Sequence, residues 1–146
     1  SESDLEACRP FLAAMSKEIV HCGPRGHGMI AKLCNNLVGY LGYLAAYEAN
    51  QLATRTGLDP AHLDDVLLAG GLMTRSMQGY LSLARTRQPE GAESIRQMLE
   101  RITELAEKDL GHTLEAARAA GLELPASALC QQWMGRVYGL PEASGS

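Results

Sequence analysis

The chain has 146 residues, 46% of them apolar and 21% charged, which suits one globular domain with a proper core and argues against a disordered segment. The formal net charge is −4, with acidic and basic residues interspersed and no basic face for a phosphate backbone, so nucleic acid is excluded as a partner. A membrane is excluded too: the most apolar run, Leu37 to Tyr47, is about half of the ~20 residues that a span requires.

Asp4 to Met15 reads as a short helix, capped by Asp4, with Leu5, Phe11, Leu12 and Met15 apolar at helical spacing. Ile19-Val20-His21-Cys22 is a β-favouring run that ends at the breaker Gly23-Pro24. It either joins a sheet outside this chain or is not a strand, because everything after it reads as helical. Gly28 to Thr56 is one long proline-free helical stretch. Its small residues Gly39, Gly42, Ala45, Ala46 and Ala49 let helices come close, and Tyr40, Tyr43 and Tyr47 share a face expected in the core or a subunit interface. Gly57 ends it. Asp59-Pro60 then reads as an N-cap followed by proline at the first helical position, opening a helix to about Ala69. Gly70-Gly71 breaks the pattern. Met73 to Leu83 is a weaker helix, and Arg85 to Gly91 a polar loop containing Pro89. Ala92 to Ala120 is a second long helix closed by Gly121. Pro125 opens a last helix, Ala126 to Tyr138, with Trp133 a candidate for the core, and Pro141 to Ser146 reads as a frayed tail. The expected fold class is all-α, with a short N-terminal helix and strand.

Two motifs suggest chemistry that their context does not support. Gly26-His27-Gly28-Met29-Ile30-Ala31 fits the dinucleotide-binding pattern G-x-G-x-x-G/A, with Glu48 about 20 residues on. That motif needs a βαβ unit, whereas here the helical pattern runs straight past Glu48. Gly26 and Gly28 instead shape a tight lead into the long helix. His21, Cys22, His27 and Cys34 lack any paired-ligand spacing, and a strand, a loop and a helix would have to converge on a metal, so no metal site is assigned. The four cysteines (Cys8, Cys22, Cys34 and Cys130) form no CxxC pair, and Glu2, Asp4 and Glu6 stand where a signal peptide would be basic and then apolar. Reduced thiols in the cytoplasm are the expectation.

The run Gly23-Pro24-Arg25-Gly26-His27-Gly28 followed by Lys32-Leu33-Cys34-Asn35-Asn36 is similar to the G-P-x-G-x-G-x-x-x-K-x-x-N-N signature of the β-hydroxyacid dehydrogenases. Glu48-Ala49 with Gly57-Leu58-Asp59 resembles that family's E-A-x-x-L-x-x-x-x-G-L-D stretch, Lys108-Asp109-Leu110 its K-D-L motif, and Pro125 its downstream proline. The likeness covers nearly the whole chain. It implies a helical domain like the C-terminal domain of 6-phosphogluconate dehydrogenase at residues 23–140, with 1–22 the last helix and strand of an N-terminal Rossmann domain and 141–146 a tail. The family's own glycine-rich fingerprint and its D-x-P-V-S-G motif are not found in these residues, so the chain is expected to be part of a longer enzyme and inactive by itself. That enzyme would move hydride between NAD or NADP and a small 3-hydroxy acid, of the 3-hydroxyisobutyrate or tartronate semialdehyde type, and assemble as a homodimer or homotetramer.

Reducing a carbonyl with hydride builds negative charge on oxygen and needs an acid; the reverse reaction needs a base. An amine can do either when burial and the positive end of a helix dipole favour its neutral form. On spacing alone, a helical lysine snorkels to solvent. The resemblance makes Lys32, on the first turns of the long helix, the general acid/base. Asn36, four residues on and therefore on the same face, orients the substrate. Gly26 and Gly28 let backbone approach the substrate. Lys108 resembles the family lysine that closes over the nicotinamide end of the cofactor, with Asp109 beside it, although a Lys-Asp pair on an exposed helix is common without a role. Ala92 to Glu107 is helical and charged where well-known members carry a glycine-aromatic segment, which leaves the subfamily open. A helical dimerisation or scaffold module without chemistry would share the long helices and apolar faces. An imine reductase would share the architecture but often lacks the lysine.

Overall fold

A computed structural model describes residues 2–86 and 92–140. Six helices follow in order: α1 (Glu2–Ala13), α2 (His27–Thr56), α3 (Pro60–Ala69), α4 (Arg75–Thr86), α5 (Ala92–Ala119) and α6 (Pro125–Val137). There is no strand among the described residues. Ile19-Val20-His21-Cys22, expected either to join a sheet outside this chain or not to be a strand, is irregular backbone. The physical reason is that a strand holds its shape through a ladder partner, and the described chain offers none. Arg85 and Thr86 extend α4 instead of opening the polar loop. The rest of that loop, 87–91, and the tail, 141–146, lie outside the described residues.

The three helices α2, α5 and α6 pack against one another, and α3 and α4 lean on α2. In α5 the buried positions Leu99, Thr103, Ala106, Leu110, Thr113 and Ala117 recur every three or four residues, the stripe that one helix face presents to a core. Cys130, Met134 and Val137 do the same in α6, and meet Leu44 and Ala46 of α2 and Leu81 of α4. Tyr40, Tyr43, Tyr47 and Trp133 pack against this cluster as half-buried side chains. Tyr43, Tyr80 and Tyr138 form a ring cluster with centroids 5.5 to 6.3 Å apart, and the Tyr80 hydroxyl donates to the Val137 carbonyl at 3.0 Å, tying α4 to α6. On the outside, Arg85 of α4 grips Asp64 of α3 with two hydrogen bonds, 2.7 and 3.0 Å, and donates to Asn50 of α2 at 2.9 Å.

The helix ends follow local chemistry. Gly57 stands at φ +77°, where a side chain would be strained, and the Leu58 N–H turns back to the Ala53 carbonyl at 2.9 Å. Asp59 caps α3 by accepting from the Ala61 N–H at 2.8 Å, with Pro60 at the first helical position. By contrast, α1 buries none of its residues, and Phe11, Met15 and Val20 stand 75 to 78% exposed.

Candidate functional site

α2 starts from Gly26, whose backbone is left-handed at φ +96° and which gives the helix no side-chain cap. One turn beyond the helix start, Lys32, Asn36 and Tyr40 follow at steps of four and so share a face of α2. Asp109 of α5 meets all three. The Lys32 ammonium donates to both of its carboxylate oxygens at 3.0 Å. The Asn36 amide donates to Oδ2 at 2.8 Å, and the Tyr40 hydroxyl reaches the same oxygen at 3.4 Å. One anion thus collects three donors from consecutive turns of one helix.

Burial across this ladder is uneven. Asp109 is 4% exposed, whereas the Lys32 side chain is 49% exposed. The described residues bury the carboxylate and leave the Lys32 side chain half exposed. Burial pushes the Asp109 carboxyl up, but the hydrogen bonds from Lys32 and Asn36, with the charges of Lys32 and Lys108, outweigh it and hold the group below its ordinary value. Tyr40 is pushed up to about 12, first by burial, then by the Asp109 charge and the hydrogen bond to it. Its phenol therefore remains a donor throughout the physiological range. The Thr113 hydroxyl donates to the Asp109 backbone carbonyl at 2.9 Å.

The other candidate residues lie around this ladder. Lys108 is exposed on α5 beside Asp109 and takes no part in the ladder's hydrogen bonds. Gly26 and Gly28 are exposed at the mouth of α2, with open space where a Cβ would stand. Asn36 and Tyr40 also line a cavity of about 830 Å³ that runs along α2 past Gly42 and Ala46 towards Leu67 and Met77. Cys8, Cys22, Cys34 and Cys130 are free thiols, and among the described residues no three His, Cys, Asp or Glu side chains gather around a possible ion.

The spacing of Lys32 and Asn36 was enough to place them together. The partnership with Asp109 was not readable, since 77 residues separate it from Lys32. Tyr40 shares a face with Tyr43 and Tyr47 in the sequence, and its step of four from Asn36 is the signal for the ladder. Gly26 to Ala31 forms no dinucleotide cradle: α2 continues unbroken through Glu48, which is exposed in mid-helix. Gly26 to Ala31 therefore does not supply the main cradle of a dinucleotide.

The chain is similar to known proteins over most of its length. Residues 26–140 match the family described as NAD-binding of NADP-dependent 3-hydroxyisobutyrate dehydrogenase. A probable mitochondrial 3-hydroxyisobutyrate dehydrogenase of Dictyostelium discoideum is 44% identical over 63 residues, 43% of this chain and 20% of that protein. The 2-hydroxy-3-oxopropionate reductase of Escherichia coli (strain K12) is 29% identical over 133 residues, 90% of this chain and 42% of that protein. An uncharacterized oxidoreductase of Mycobacterium tuberculosis (strain ATCC 25618 / H37Rv) is 31% identical over 123 residues, 84% of this chain and 42% of that protein. The chain spans less than half the length of these relatives. With a matching family model over most of its residues, the chain belongs to the 3-hydroxyisobutyrate dehydrogenase family of β-hydroxyacid dehydrogenases.

Proposed function

We propose that this chain is the helical domain of an NAD(P)-dependent dehydrogenase acting on a small 3-hydroxy acid, of the 3-hydroxyisobutyrate or tartronate semialdehyde type, and that Lys32 is its general acid/base. The observation that carries the reading is the Lys32 amine held at 3.0 Å from both oxygens of a buried carboxylate, near the start of a long helix. An ammonium has three N–H bonds. Both Asp109 oxygens lie close together on one side of it, which leaves N–H directions on the half-exposed side for a substrate oxygen.

When bound, the nicotinamide cofactor supplies or accepts the hydride. The residues of this chain handle the proton and the alignment. In oxidation Lys32, as the neutral amine, takes the proton of the substrate hydroxyl; in reduction, as the ammonium, it gives a proton to the carbonyl oxygen. Asn36 spends one amide N–H on Asp109 and keeps the other, with its carbonyl, for the substrate's hydroxyl or carboxylate. Gly26 and Gly28 leave room for the substrate at the mouth of α2, and Lys108 reaches the nicotinamide end of the cofactor. Asp109 serves by holding Lys32 in place, a role added to its expected place beside the cofactor.

The wall opposite Lys32 belongs, in this reading, to an N-terminal nucleotide-binding domain. Residues 1–22 are the end of that domain, and the exposed Phe11, Met15 and Val20 are the side chains it would cover. Residues 23–140 form the substrate and assembly domain. A second copy of the chain packs along α2 and α3, where Val38, Leu52 and Val66 stand exposed, with Val38 and the exposed Leu72 lining the cavity, giving a homodimer or homotetramer. Among the described residues no helix is long and apolar enough to cross a membrane, and the three exposed free thiols favour the reducing cytoplasm. The test is an assay of the full-length protein with NAD and NADP against a panel of small 3-hydroxy acids and their semialdehydes. Turnover of at least one such pair is expected; no turnover of any of them with either cofactor overturns the reading.

A further inference from the structure

We infer that Tyr40 is a positioning residue for the Lys32 proton transfer, acting through Asp109. The inference rests on the proposed role of Lys32 and adds to it a residue outside the motif that suggested that role. Tyr40 is the third residue, two steps of four from Lys32, on the face that carries Lys32 and Asn36, and its hydroxyl comes to the oxygen that Asn36 already holds. Its ring packs against the core cluster, so the hydroxyl is presented from a side chain with little freedom to move.

The consequence follows from counting donors. A carboxylate with 4% exposure has almost no water with which to replace a lost hydrogen bond. Asn36 and Tyr40 together occupy Oδ2 from the side of the cavity that both residues line. This fixes the plane of the carboxylate, so that it cannot swing to follow the mobile end of Lys32 and instead dictates where the amine stays. The phenol, protonated up to about 12, gives that restraint at any working pH. At 3.4 Å the contact is at the long end of a hydrogen bond, so its effect should be modest and should travel only through Asp109.

Tyr40→Phe in the full-length protein removes the hydroxyl and keeps the ring in the core. The expected result is a fall in kcat/KM for the hydroxy acid of about two- to tenfold, with the KM for the cofactor unchanged. The acid limb of the pH profile should move to higher pH, because Asp109 loses a donor to its ionised form. In an Asp109→Asn background the same change should have no further effect. An equal loss in both backgrounds, or a loss without movement of the acid limb, overturns the proposal. The Asp109 carboxyl titration, followed by carbon-13 NMR in wild type and Tyr40→Phe, separates this claim from the one beneath it. Normal turnover of Lys32→Ala with a displaced Asp109 titration sinks the acid/base role and keeps the Tyr40–Asp109 link. Impaired Lys32→Ala with an unmoved titration sinks the role of Tyr40 alone.

Discussion

Lys32 and Asp109 divide one task between an open group and a closed one. The carboxylate is anchored by burial and by three donors, while the amine stays accessible to whatever enters from the open side. Losing the negative charge should therefore hurt more than its own hydrogen bonds suggest, because Lys32 would be free to turn to solvent. Asp109→Asn is expected to lower kcat at least tenfold and to destabilise the protein by about 1–3 kcal/mol, measured by steady-state assay and by urea unfolding at pH 7. The sign of the pH dependence is fixed by the lowered Asp109 pKa. A carboxyl held below its unfolded value contributes stability above that value, roughly 3.9 for aspartate, and loses it as the pH falls through the folded value. The stability gap between wild type and Asp109→Asn should be full at neutral pH and close as the pH drops below about 4; a gap that widens on acidification contradicts the assignment. Cys130 shows the opposite effect, pushed up to about 11 by burial with no exposed surface. Peptide mapping after alkylation of the native protein should find Cys130 unmodified until unfolding.

The helices were largely legible because most of them begin or end on a residue with a local reason. Asp59-Pro60 and Gly57 mark their boundaries through cap geometry alone, and the structure places them as the sequence implied. The i, i+4 relation likewise put Lys32 and Asn36 on one face. What local patterns could not reveal is how faces meet: that α5 brings Asp109 onto α2 depends on two buried stripes docking in one register, and no spacing within either helix contains that information. The segment 19–22 shows the complementary limit. Its β-branched residues favour extension, but extension becomes a strand only beside a partner. The Asp59 cap is expected to be worth about 0.5–2 kcal/mol. Asp59→Ala should lower the melting temperature with little change in kcat, since α3 does not contribute to the ladder.

At the scale of the whole molecule, the core and the site share their supports. α2, α5 and α6 enclose Leu110, Cys130 and Met134, and the same packing of α5 on α2 sets the distance from Lys32 to Asp109. Met134→Ala, at a fully buried position, should cost about 2–5 kcal/mol by chemical denaturation, and any residual folded protein should keep its KM for the cofactor. The apolar side chains of α1 and the open side of Lys32 are surfaces that the described residues leave uncovered, and the account assigns both to a nucleotide-binding domain. Its central claim is that the Lys32 amine moves the proton while that domain holds the cofactor. The most direct measurement is kcat for Lys32→Ala in the full-length protein, alongside cofactor affinity by fluorescence titration. The account predicts a fall in kcat of at least about 100-fold with cofactor affinity unchanged; near-normal turnover would contradict it.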